Sequence, residues 1–67
     1  MNLESVSIET LCERKKVLES RIADYEECVR LVRSQIYSLY YRAKISFAKK
    51  EIHAIDAEIA YRRLNNV

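Results

Sequence analysis

The chain has 67 residues, with 12 Lys/Arg, 10 Asp/Glu and a net charge of +2, so it forms at most one domain, near the lower size limit for a self-sufficient core. It contains no Gly and no Pro, which excludes a β fold with glycine-dependent turns and a Gly-rich phosphate cradle. The modest net charge falls short of the strongly basic balance of a dedicated nucleic-acid binder.

Helix formers dominate from the start of the chain. Ser5, Ser7 and Thr10 are all able to cap a first helix; Thr10-Leu11-Cys12-Glu13 has the form of a capping box, but Ile8 lies before it and favours an earlier start. From there Ile8, Leu11, Leu18, Ile22, Tyr25, Val29, Val32, Ile36 and Leu39 step by threes and fours along one seam, broken only by Lys15. Such spacing predicts a long amphipathic helix over about 5–40 with coiled-coil-like packing.

A second line runs through Tyr41, Ile45, Ala48, Ile52, Ile55 and Ile59, displaced in phase by two residues, or about 200° around a helix. In one unbroken helix this stripe would face away from the first. A turn at about 40–45 brings the two together, with Ser46 capping a shorter helix over about 46–64 and Asn65-Asn66 ending it. The expected architecture is therefore all-α, a long helix and a shorter one as an antiparallel hairpin. Arms of about 50 Å and 30 Å leave the seam from Ile8 to Leu18 uncovered within one chain.

One continuous helix is the alternative. It draws support from the lack of a Gly to end the first helix, and from a further line of Ile36, Tyr40, Ala43, Phe47, Ala54, Ala57, Tyr61 and Leu64 interrupted by Lys50. Either way the second segment is apolar on two sides, which predicts burial on two sides in a bundle of at least four helices. The self-association seam is assigned to the first-helix line together with Ile45, Ile52, Ile55 and Ile59.

Charge is unevenly spread. Residues 1–27 carry seven acids against four bases, whereas residues 28–50 carry six bases and no acid. Arg30, Arg33, Tyr37, Tyr40 and Lys44 share one face if the first helix extends that far; with Arg42, Lys49 and Lys50 they form the candidate surface for a protein or a polyanion. The competing explanation is pairing of the basic middle with the acidic beginning of a neighbouring chain, alongside local pairs such as Glu26–Arg30 and Glu58–Arg62. Arg14 and Arg21, five residues before Glu19 and Glu26, suit a parallel pair instead.

Cys12, Cys28 and His53 have no metal-ligand spacing, and no orienting group or oxyanion site accompanies a Cys–His pair. Neither enzyme activity nor a cofactor is expected. No stretch reaches the roughly 20 apolar residues of a membrane span, and the expected setting is cytoplasmic, with reduced thiols and no membrane partner. The sequence reads as a small helical interaction protein, an adaptor or inhibitor, that associates with itself and with another protein. A nucleic-acid-binding regulator and a purely structural assembly subunit are the alternatives.

Overall fold

The computed structural model describes residues 5–65, which form two helices, α1 (Ile8–Leu31) and α2 (Gln35–Asn65). They pack against each other as an antiparallel hairpin of 51 × 17 × 15 Å. The all-α hairpin expected from the phase shift is the observed fold.

Ser7 starts α1. Its extended backbone places the side chain where Oγ accepts the Thr10 N–H at 3.2 Å, and its carbonyl accepts the Leu11 N–H at 3.0 Å. A hydroxyl at this position satisfies a helix-end donor that would otherwise face solvent. Glu9 in the first turn and Arg30 in the last complement the helix dipole.

The chain reverses through Val32, Arg33 and Ser34, earlier than the expected 40–45. Without a Gly, α1 ends by extension rather than by a left-handed residue. Val32 leaves the helix at φ −78° and ψ 139° while its N–H still donates to the Cys28 carbonyl at 2.9 Å. Ser34 then begins α2, its carbonyl accepting the Ser38 N–H at 3.0 Å. The β-branched Val32 gains little from staying helical, and Ser34 is a favoured cap residue. Both helix boundaries change accordingly: Ser46 lies inside α2 rather than capping it, and α2 runs to Asn65. Asn66 lies outside the described residues.

The early turn also reverses the inequality of the arms, giving α1 24 residues and α2 31. Leu11 and Leu18, expected to lack an intramolecular partner, are buried against α2. The core consists of Leu11, Leu18 and Ile22 from α1 with Ala48, Ile55 and Ile59 from α2. Val6, Ile45 and Ile52 pack around it. Among the described residues Leu11 and Ile55 are the most completely enclosed, and this core is thin, one layer between two helices.

Ion pairs flank that layer on both sides. Arg14 Nε donates to Glu51 Oε2 at 2.7 Å, and Lys15 Nζ lies 2.8 Å from Asp56 Oδ1. Lys15 therefore interrupts the seam because its head reaches across to the other helix.

Candidate interaction surface

The hairpin consumes most of the seam assigned to self-association. Leu11, Leu18, Ile22, Ile55 and Ile59 are buried within one chain; Ile8, Tyr25, Val29, Val32, Ile45 and Ile52 are half-buried. Ile36 and Leu39 are 78% and 66% exposed. They continue the spacing of the first helix, but they stand beyond the turn, on a helix with a different facing. The seam assignment is thus corrected. Its inner members close the monomer, and the two that stand exposed are Ile36 and Leu39, the end of the first-helix line.

The basic residues separate as well. Arg30 belongs to α1, Arg33 to the turn, and Tyr37, Tyr40 and Lys44 to α2, so the single continuous face expected for them does not form. Arg42 lines a shallow depression of about 300 Å³ with Gln35, Ser38 and Leu39. Lys44 lies on the opposite flank, in a groove with Arg14, Arg21, Tyr25 and Phe47. Lys49 is exposed, and Lys50 lies over the Phe47 ring at 5.9 Å. Arg14 and Arg21 are basic groups in this groove that spacing within the basic middle does not reveal. Finding them requires the hairpin register.

At the closed end of the hairpin the surface is most unusual. Leu31, Ile36, Tyr37 and Leu39 are all exposed there, beside the exposed Arg30, Arg33 and Arg42. Arg33 and Arg42 make no ion pair among the described residues. Arg30 contacts Glu27 at 3.4 Å rather than the expected Glu26, and both side chains are well exposed. Glu58–Arg62 forms as expected, at 3.0 Å.

An aromatic ladder leads from the interior to this end. Tyr25 and Tyr41 are 6.0 Å apart between ring centres, Tyr41 and Tyr40 5.4 Å in an edge-to-face arrangement. Lys44 Nζ sits 5.3 Å from the Tyr40 ring centre. Tyr40 thus has both Tyr41 and Lys44 against its ring, and an aromatic with such neighbours has less freedom to lose when a partner covers it. The Tyr41 hydroxyl has its pKa raised above 10.0, first by the charge that Cys28 acquires when it ionises, then by burial and a hydrogen bond with Cys28.

Comparison with known proteins finds no matching family model, curated protein or solved structure. The surface must be judged by its own chemistry. Cys12 and Cys28 are free thiols. Among the described residues no group of His, Cys, Asp or Glu is placed to hold a metal ion, and no buried side-chain polar atom lacks a hydrogen-bond partner. Among the described residues no helix is long and apolar enough to cross a membrane.

Proposed function

We propose that the chain is a small, non-enzymatic interaction module that associates with itself and presents its closed end to an acidic surface of another protein. The observation that carries this reading is the pairing of large exposed apolar groups with uncommitted arginines around the turn. Apolar and aromatic anchors ringed by Arg are the composition of protein contact surfaces rather than of phosphate-tracking grooves. An acidic partner would meet Arg33 and Arg42 at the rim, while Leu31, Tyr37 and Leu39 supply the desolvated centre.

The basic groove of Arg14, Arg21 and Lys44, with Tyr25 and Phe47 beside it, supports a second reading, a nucleic-acid contact. Its strength is limited by Glu51, which lies in the same groove and already holds Arg14.

Affinity capture from the source cells separates these readings when the wild-type chain is compared with an Arg33→Glu/Leu39→Glu variant, with and without nuclease. A protein held by the wild type, lost by the variant and indifferent to nuclease supports the closed-end reading. Capture that disappears with nuclease and weakens steeply with salt supports nucleic acid. Equal capture by both chains contradicts a role for this end.

A further inference from the structure

The outward face of α2 carries a heptad seam that the hairpin leaves open. Tyr40, Phe47, Tyr61 and Leu64 are each more than half exposed, and the intervening Ala43, Ala54 and Ala57 are exposed too. These residues lie about 200° from the isoleucines that face α1, so α1 covers none of them. The exposed outer positions of α1 are largely polar, among them Glu9, Glu13, Lys16 and Glu19. One helix of the pair is therefore finished on its outside, and the other is not.

We infer that this seam binds a second copy of the chain, α2 against α2, antiparallel, with residue numbers of facing positions adding to about 104. The inference rests on the reading of the chain as a self-associating module and gives that reading a face, an orientation and a register. Size complementarity selects the arrangement. Phe47 of one copy faces Ala57 of the other, Tyr61 faces Ala43, and Tyr40 closes each end against Leu64. The Lys50 stem lies over Ala54 and its ammonium reaches solvent. Large against small at successive layers is how a helical interface interdigitates without voids.

Other arrangements lose this fit. A parallel pair sets Ala43 on Ala43, Ala54 on Ala54, Ala57 on Ala57 and Lys50 on Lys50, leaving three gaps and a like-charge contact. Sliding the antiparallel pair by one heptad one way places Ala43 against Ala54 and Phe47 against Lys50; sliding it the other way sets Ala54 against Ala57 and leaves Tyr40 and Ala43 beyond the end of the facing helix. In the chosen register the two Glu51 carboxylates meet at the twofold axis, each bringing its Arg14 2.7 Å away, so two anions and two cations balance. Lys44 comes beside Glu58 of the other copy, which already holds Arg62. The exposed seam side chains amount to on the order of 1,200 Å² for the pair, the lower range of a specific interface.

The resulting assembly is a row of four helices, α1–α2–α2–α1, with the polar backs of α1 outermost. Ile36 falls beyond the overlap. The two closed ends remain free, about 50 Å apart at opposite ends of the row, so the dimer offers its proposed docking surface twice.

Sedimentation equilibrium of the full chain at micromolar concentration tests the association. The expected result is a dimer for the wild type and a monomer of unchanged helicity for Phe47→Glu. Phe47→Ala and Ala57→Phe should each weaken the dimer roughly tenfold or more, and the double swap should recover most of the loss. Distances between spin labels on Gln35→Cys in a Cys12→Ser/Cys28→Ala background report orientation, about 50 Å if antiparallel and under about 25 Å if parallel. A monomeric wild type, a dimer indifferent to Phe47→Glu, no recovery by the swap, or the short distance would each overturn the inference. If the dimer fails while capture still depends on Arg33 and Leu39, the docking reading survives without it. If the dimer holds and capture does not, the reverse is true.

Discussion

The two faces of α2 carry apolar residues at the same spacing and have opposite fates. On the inner face Ile45, Ala48, Ile52, Ile55 and Ile59 meet α1, and all are buried or half-buried. On the outer face Tyr40, Phe47, Tyr61 and Leu64 stand more than half exposed between alanines. Chemistry separates the faces where periodicity does not. Branched aliphatic groups with few rotamers fill the closed seam, whereas rigid aromatics alternating with small residues make the open one. Spacing reports which residues share a face. What covers that face depends on where the chain turns.

Substitution on the inner face should have the largest effect. Ile55→Asp places a charge at the most enclosed position of the core and should abolish cooperative unfolding as followed by circular dichroism. Ile55→Ala should cost about 2–5 kcal/mol through lost contacts and a cavity, measured by urea denaturation. Phe47→Ala on the outer face, measured at dilution where the monomer dominates, should change stability by no more than about 0.5 kcal/mol. Equal losses at both positions would erase the distinction between the faces.

A smaller loss is expected at the cap. Ser7→Ala removes the acceptor for the Thr10 N–H and should cost about 1 kcal/mol, while leaving the proposed association untouched because Ser7 is remote from the outer seam. Smaller still is the flank of the inner face. Arg14 and Glu51 are each 37% exposed, so Arg14→Ala should cost at most about 1 kcal/mol, and less as salt rises.

The inner face also titrates. Lys15 has its pKa raised above 10.5, chiefly by its hydrogen bond to Asp56, and Tyr41 is raised above 10.0 by Cys28 and burial. For both groups the folded state holds its proton more tightly than the unfolded chain does. Their contribution is thus complete below about pH 10 and fades as pH climbs through the raised values. Thermal melts should be insensitive to these two groups near neutrality and should fall on the alkaline side. Lys15→Met combined with Tyr41→Phe should flatten that fall.

Much of this arrangement is legible in the residues. The lack of Gly and Pro already points to helices, and the two-residue phase shift between stripes favours folding them back on each other, while the missing helix-ending Gly speaks for one continuous helix. Ser7 as one of three candidate caps, beside Ser5 and Thr10, and the inner isoleucine stripe follow from local chemistry and spacing. The turn does not, because Val29, Val32, Ile36 and Leu39 keep the three-four step straight across it. Nothing in that pattern distinguishes a helix that continues from one that stops at Val32 and restarts after Ser34. Misplacing the turn then assigns Ile36 and Leu39 to the wrong helix and joins Arg30 to Tyr37 on a face that does not exist. The groove formed by Arg14, Arg21 and Lys44 is hidden for the same reason, since its parts meet only in the correct register.

The central claim is that the chain closes on itself around Arg33, and a single intramolecular distance tests it. Spin labels or fluorophores at Glu9 and Ala60, on chains diluted into an excess of unlabelled protein, should lie within about 10–20 Å, the separation of neighbouring helices plus the probes. A continuous helix would hold the same two positions about 75 Å apart, and that value would contradict the hairpin and the division of α2 into a closed face and an open one.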